Sequence, residues 1–388
     1  MPADPLAWLD AELDALARRD LLRRLRTYDG PQRSAFKLDN RQVVNFGSND
    51  YLGLAADGRL ALAAAQAANE QGFGAGASPL VVGHSRALER LELRLAEFEG
   101  TEAALVFASG FAANSGVIPA LAAEGDAVYS DALNHASIVD GCRLSRAAVY
   151  VYQHANVAAL EKMLQAGRGF RRRLIVTDSL FSMDGDLAPL AELAELAERY
   201  DCMLMTDEAH ATGVFGRQGR GAAEHLGAEA GVHVRVGTLS KALGGMGGFA
   251  AGRRSLIEWL ANRARSYVFS TALPPPAAAA AVAALDIVRD EPARRRELLA
   301  RSADLLGRLR VQGWRIGPTA GQIIPVIVGE SARAVELSAA LAARGFWAPA
   351  IRPPSVPDGE ARLRISLSWA HDTEMIDGLV ASLGELAM

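Results

Sequence analysis

Between about Arg86 and Gly252 the chain repeats one pattern: a short apolar run, a polar cluster at its end, then a stretch with helical spacing. The apolar runs are EAALVFAS, DAVYSD, AAVYVY, RRLIVTDSL, CMLMTDEAH, VHVRVGTLS and GGFAAG. Helical stretches such as HASIVDGCRLS and LAPLAELAELAERY lie between them. A strand that is apolar on both sides must be covered on both faces, and the intervening helices supply the cover. The pattern predicts an α/β fold: a large domain with a mostly parallel seven-stranded sheet covered by helices. Binding groups in such sheets gather beyond the carboxyl ends of the strands. The polar clusters of this chain fall there.

The flanks differ. Leu6, Leu9, Leu13 and Leu16 recur at helical spacing, and KLDNRQVVNFGSNDYLGL follows as a hairpin running into a loop. After STALPPPAA, long helices extend to about Val311. They are followed by QIIPVIVG, a helix SARAVELSAALAARG, ARLRISLS and a last helix, which together suggest a smaller C-terminal α/β domain. The expected organisation is an N-terminal helix and hairpin segment over 1–48, a large domain over 49–272 and a small domain over 273–388.

Composition narrows the partners. The formal charge is −4, and the arginine clusters Arg171–Arg173 and Arg294–Arg296 are short and flanked by acids or helix signals. That balance argues against nucleic acid or an anionic membrane as a partner. The run AAAAAVAAL is too short to span a bilayer. Cys142 and Cys202 stand in apolar settings without metal-ligand spacing, which fits a reducing compartment. The N-terminus is amphipathic and acidic, unlike a signal peptide. These features lead us to expect a cytoplasmic protein that holds no metal.

Only Lys37, Lys162 and Lys241 are lysines among the 41 basic residues. Lys37 sits in a strand-like stretch and Lys162 on the polar side of an amphipathic one, where a surface charge suffices. Lys241 lies instead in TLSKALGGMGG, behind two hydroxyls and among glycines. Lysine, unlike arginine, can lose its proton and act as an amine nucleophile. A lysine that forms an imine points to an aldehyde cofactor, of which pyridoxal 5'-phosphate is the commonest. That cofactor also needs a carboxylate at its pyridine nitrogen, an anion site for its phosphate and a partner for its ring face.

Candidates exist for each. Asp207, in LMTDEAHATG, is the carboxylate candidate, with a helix N-cap as the other reading. His210, three residues on, could bond the ring hydroxyl. ASGFAAN opens a helix after a strand, so the backbone at Gly110 and Phe111 could bind phosphate, though an ordinary strand-to-helix turn looks the same. Thr238 and Ser240 would add hydroxyl donors. His135, in DALNHASI, is either a ring-face partner or a structural histidine, and Ser182, in LFSMDGD, could reach the ring. HExxH, GxSxG and P-loop patterns are absent.

With these motifs in hand, the chain resembles the α-oxoamine synthases, a family of fold-type I pyridoxal-phosphate enzymes. The resemblance runs from NFGSNDYLGL through ASGFAAN, LNHASI, FSMDGD, TDEAHATGVFGRQGRG and TLSKALGG to the C-terminal strand. It implies a Schiff-base role for Lys241, a pyridine-nitrogen role for Asp207 and a ring-stacking role for His135. Cofactor contacts are implied for Gly110, Phe111, Ser182, His210 and Thr238. It also implies a homodimer whose subunits complete each other's sites.

AIRPPSVPDG, Ala350 to Gly359, resembles the branch that condenses L-alanine with a pimeloyl thioester in biotin synthesis. That branch implies that Arg352 holds the amino acid's carboxylate. Ser355, where the branch usually has threonine, and Asn49 and His135 are implied substrate contacts. Arg23, or Arg24 beside it, matches a helix arginine near the distal carboxylate. The acyl carrier, pimeloyl-CoA or pimeloyl-acyl carrier protein, stays open. Alternatives are a glycine-using synthase of the 2-amino-3-ketobutyrate ligase or 5-aminolevulinate synthase type, an aminotransferase, and a catalytically silent PLP-binding regulatory protein.

Overall fold

A computed structural model describes residues 4–387. Its contacts divide the chain into two units, a larger one of residues 49–182 and 186–298 and a smaller one of the residues up to 48, 183–185 and those from 299 on.

The strands, in chain order, begin with β1 (Tyr28–Asp29), β2 (Ala35–Leu38) and β3 (Arg41–Asn45) in the smaller unit. Next come β4 (Ala103–Phe107), β5 (Ala127–Asp131), β6 (Ala148–Tyr152), β7 (Arg173–Asp178), β8 (Met203–Asp207), β9 (Val234–Thr238) and β10 (Gly248–Gly252), all in the larger unit. The smaller unit resumes with β11 (Ile323–Gly329), β12 (Phe346–Trp347), β13 (Ala350–Ile351) and β14 (Ala361–Ser366).

The larger unit carries the seven-stranded sheet, in the order β4-β10-β9-β8-β7-β5-β6. Strands β5 to β9 run parallel, with β5 pairing β6 and β7, and β8 pairing β7 and β9. Every residue of β5, β9 and β10 is buried, whereas the edge strand β6 exposes its middle. The helix Gly110–Leu121 is apolar almost all round because it is packed on most sides. Val117 and Ile118 join Phe107, Val128, Val176 and Val236 in one core. β10 is the exception in direction: it runs antiparallel to both neighbours, pairing Gly248 with Phe107 of β4 and with Thr238 of β9. The start of β10 therefore meets the ends of β4 and β9.

The smaller unit holds two sheets, β1-β2-β3-β12 and β11-β14-β13. In the first, β12 pairs in parallel with β3, Phe346 opposite Val44 and Trp347 opposite Asn45. That pairing binds the N-terminal hairpin to C-terminal chain, so the contacts group residues up to 48 with those beyond 298, where the sequence pattern sets 1–48 apart. The helix Pro275–Asp290 packs on the helices Gly58–Gln71 and Arg86–Glu99 of the larger unit. For that reason the contacts place the division after Leu298, inside the helix Ala293–Val311, rather than after residue 272.

His371 shows how the smaller unit tolerates a buried polar group. Its ring lies flat on Phe46, with centroids 4.2 Å apart. Nε2 donates to the Asn45 carbonyl at 3.0 Å, and Nδ1 accepts the Ser368 N–H at 3.0 Å. One donor and one acceptor are satisfied only by neutral imidazole, and burial pulls its pKa down to about 4. A histidine neutral in the fold but titrating near 6.5 when unfolded contributes stability above that pH. The contribution is lost as pH falls from about 6.5 towards 4. In denaturant titrations at several pH values, His371→Gln is expected to flatten this acid-side decline relative to wild type.

Candidate functional site

The polar clusters of the larger unit meet at the carboxyl ends of β4, β5, β7, β8 and β9. Two hydrogen-bonded chains organise them. The first starts at Lys241, whose Nζ lies 2.8 Å from His210 Nε2. His210 Nδ1 is 2.6 Å from the Tyr51 hydroxyl, which donates to Asn49 Oδ1 at 3.1 Å. Tyr51 is fully buried and His210 nearly so. The only lysine among hydroxyls and glycines thus has its amine in contact with an imidazole.

The second chain starts at Asp207, the last residue of β8. Asn114 donates its Nδ2 to Asp207 Oδ2 at 2.6 Å, and the Ala209 N–H donates to Oδ1 at 2.8 Å. The same Asn114 nitrogen reaches the Ser137 hydroxyl at 2.9 Å, which lies 2.7 Å from His135 Nδ1. His135 is the N-cap of the helix Ala136–Ser145, its ring accepting the Ser137 N–H, and its own N–H donates to Asp178 at 2.6 Å. Asp178 stands opposite Asp207 in the β7–β8 register. Burial first, and the Asp207 charge second, push the Asp178 pKa well above the carboxylate range. Packing around the ring pulls His135 below the usual imidazole range, against the pull of Asp207. Asp207 is therefore held by two donors with an uncharged imidazole in its neighbourhood. Asn114 Oδ1 is buried with no hydrogen-bond partner among the described residues.

The third feature is a backbone cradle. Ser109 caps the helix Gly110–Leu121 by accepting the Ala112 N–H at 3.1 Å. The first N–H groups of the helix, at Gly110 and Phe111, have no intrahelical carbonyl to bond, and they suit an anion. Across from them lie Thr238 and Ser240. Thr238 donates to the Gly247 carbonyl at 2.9 Å, so the 2.8 Å contact between the two hydroxyls is donated by Ser240. An anion arriving here would draw one of these protons to itself. Glycine is required at the joint: a Cβ on Gly248 would lie 2.5 Å from Gly110 N and from Ser109 C and O. The lysine loop is closed on itself by Leu239 N–H to Gly247 O at 3.0 Å and Gly245 N–H to Leu239 O at 2.8 Å. Gly244 has φ +63°, and a Cβ there would strike the Leu54–Ala55 backbone at 2.5 Å. The glycines after Lys241 let three backbone segments close around one lysine.

The larger unit thus brings together Lys241, His210, Asp207, His135, Gly110, Phe111, Thr238 and Ser240 at the ends of its strands, with Asn49 joined to them through Tyr51. Ser182 lies in the turn after β7, partly buried. Arg23, Arg352 and Ser355 belong to the smaller unit. There the Arg352 guanidinium donates to the Asp20 carbonyl, and Ser355 N–H bonds the Arg352 carbonyl at 3.1 Å. Burial, then the charge of Arg23, lowers the Arg352 pKa, so these two cations share a neighbourhood. Sequence reasoning left out Asn114, Ser137, Tyr51 and Asp178. Asn114 was within reach: it stands one helical turn after Gly110 in the motif ASGFAAN, on the same face. Ser137 and Tyr51 carried no signal beyond their motifs.

These parts fit pyridoxal phosphate. They comprise an amine at Lys241, a carboxylate positioned by two donors, an imidazole between them in sequence, and an anion cradle that a Cβ would fill. Comparison with known proteins agrees. The family of class I and II aminotransferases matches residues 41–383. An 8-amino-7-oxononanoate synthase from Anaeromyxobacter dehalogenans (strain 2CP-1 / ATCC BAA-258) is 52% identical over 99% of this chain and 96% of its own. The structure of serine palmitoyltransferase from S. paucimobilis with a bound PLP–myriocin aldimine superposes with a TM-score of 0.94 at 29% identity, covering 99% of this chain and 98% of the other. That of 8-amino-7-oxononanoate synthase from Francisella tularensis gives a TM-score of 0.77 at 25% identity, covering 89% and 97%.

The glycine joint can be tested. Gly248→Ala is expected to cost about 1–3 kcal/mol in chemical denaturation, because its new Cβ meets backbone that cannot turn aside. Gly307→Ala, inside a helix with nothing within 4 Å of the new atom, is expected to stabilise by about 0.5–1 kcal/mol.

Proposed function

Because the chain belongs to the class I and II aminotransferase family, in its 8-amino-7-oxononanoate synthase branch, we propose that it condenses L-alanine with a pimeloyl thioester. The products are 8-amino-7-oxononanoate, CO2 and the free thiol. The chain is a PLP-dependent acyltransferase of that family. Its substrates are inferred from full-length likeness to the branch, together with one observation: Lys241 Nζ at 2.8 Å from His210, with Asp207 held at the end of the neighbouring strand.

Pyridoxal phosphate, when bound, supplies an electron sink for the carbanion formed at the alanine α-carbon. The chain does the rest. Lys241 would hold the cofactor through its Nζ, and its free amine would take the alanine α-proton, a general-base role that needs the neutral form. Asp207, kept in place by Asn114 and Ala209, would hold the pyridine nitrogen and keep it protonated. His135 would cover the ring and could bond the substrate, His210 and Ser182 would bond polar groups of the ring, and Gly110, Phe111, Thr238 and Ser240 would hold the phosphate. By its resemblance to the branch, Arg352 would hold the alanine carboxylate, Ser355 and Asn49 would contact the substrate, and Arg23, or Arg24 beside it, would meet the distal carboxylate of the pimeloyl group. Both roles suit a bidentate guanidinium. The acyl group arrives on coenzyme A or on acyl carrier protein.

A homodimer fits this reading. Phe73, Val81, Val82 and Phe269 of the larger unit are each more than 70% exposed. Large apolar side chains that open to water suit a protein partner, and a second copy is the partner that the family implies.

The deciding experiment is a mass-spectrometric product assay with PLP and pimeloyl-CoA, and L-alanine, glycine or L-serine in separate reactions. Alanine alone should yield 8-amino-7-oxononanoate. Serine is included because of the 0.94 TM-score to a serine palmitoyltransferase. A product from serine or glycine in place of alanine would overturn the assignment. Lys241→Ala is expected to bind PLP without a borohydride-trappable bond and to lose about 10³-fold or more of the turnover.

A further inference from the structure

His154 lies just past β6, outside the two chains of hydrogen bonds described above. Its Nδ1 is 2.9 Å from Asp131 Oδ1 and its Nε2 is 2.8 Å from Asp186 Oδ2. A neutral imidazole donates through one nitrogen only, and a carboxylate only accepts. Both contacts are charge-assisted bonds when the ring carries two protons. The clamp is sheltered: the side chains of Asp131, Asp186 and His154 are 2%, 14% and 25% exposed, and Phe181 packs edge-on to the ring at 4.4 Å.

The two carboxylates belong to different turns. Asp131 ends β5 and opens the turn to His135, where it also accepts the Leu133 N–H at 2.8 Å and the Ala155 N–H at 2.9 Å. Asp186 closes the turn that carries Ser182, whose base is the Phe181 N–H to Asp186 O bond at 3.0 Å and the Leu180–Leu187 bridge. The His135 turn has further ties to β7, through Asn134 to the Val176 carbonyl and the Asp178 N–H. Among the described residues, the Asp186 side chain has only His154, and its Oδ1 is buried without a partner.

We propose that His154 is a positioning residue: an imidazolium that spans Asp131 and Asp186 and so fixes the Ser182 turn against the His135 turn at the cofactor. This rests on the placement of Ser182 and His135 at the ring given above, but not on the identity of the amino acid or thioester. The charge also matters to the site. Asp131 adds to the forces that raise Asp178, so a cation beside Asp131 limits the build-up of negative charge behind Asp207. The groups facing the ring are Asp131 and Asp186. Burial alone would lower its pKa, but hydrogen bonds and charge from these two carboxylates push it up to about 10. The stabilisation is therefore complete below about pH 6.5 and fades as pH climbs towards 10.

The test uses the full chain with PLP and needs no substrate. His154→Gln, His154→Arg and Asp186→Asn are titrated with PLP by visible absorbance, across pH, beside thermal melts. His154→Gln, which keeps a neutral amide donor but takes the charge from both bonds, is expected to bind PLP roughly tenfold more weakly and to alter the absorbance of the bound cofactor. Asp186→Asn should do the same, and the double variant should be no worse than either single one. His154→Arg, which restores a cation with donors on two sides, should recover the affinity. Wild-type affinity and spectrum in His154→Gln with only a lower melting temperature would make the residue purely structural and overturn the proposal. If His154→Gln does not fold, Asp186→Asn decides on the same terms. A failed product assay with intact PLP effects would sink the substrate reading and leave this one standing.

Discussion

The site depends on one strand running the wrong way. In a sheet of parallel strands, each carboxyl end delivers its own loop, and those loops need not touch. β10 is antiparallel, so its first residue arrives where β4 and β9 finish. It can enter only as glycine, because the space beside it is filled by the Ser109–Gly110 backbone. That close approach sets the helix Gly110–Leu121 against Thr238 and closes the lysine loop from both ends. The anion cradle and the placement of Lys241 are consequences of the same contact.

Around that joint the larger unit gathers buried carboxylates with different tasks. Glu208 accepts from Ser179 and from the Ala222 and Ala223 N–H groups, and serves as a structural acceptor. Asp178, pushed up by burial and by Asp207, binds the His135 backbone. Asp207 alone is presented on the ends of the strands with a side-chain amide to orient it. Such crowding is tolerable because each of these carboxyl groups has at least one donor and because His154 brings positive charge beside Asp131. Asn114 links the cradle helix to Asp207 and Ser137, so the phosphate end and the nitrogen end of a cofactor would be set by one helix.

Much of this was legible in the chain. Apolar runs bounded by polar clusters located all seven strands of the large sheet, because a doubly covered strand can hardly be written otherwise. Lys241 stood out because arginine fills nearly every other cationic position. Asp207, His135 and Gly110 followed from strand ends and helix starts. Less legible were partners supplied across long sequence distances. Nothing near Asn114 names Asp207, 93 residues away. Nothing near Tyr51 names His210, and His154 reads as a turn residue until two aspartates, from two separate turns, close on it.

The sequence by itself determined which residues could be strands, which lysine could be a nucleophile and which turns could hold an anion, because these depend on local periodicity and side-chain chemistry. Only the tertiary structure decided that β10 enters reversed, that β12 pairs with β3 and joins the N-terminal hairpin to the C-terminal chain, and that the helix Pro275–Asp290 packs with the larger unit. Strand direction and pairing are set by which faces bury together, and that energy is shared between segments far apart in the chain, so no single stretch encodes it.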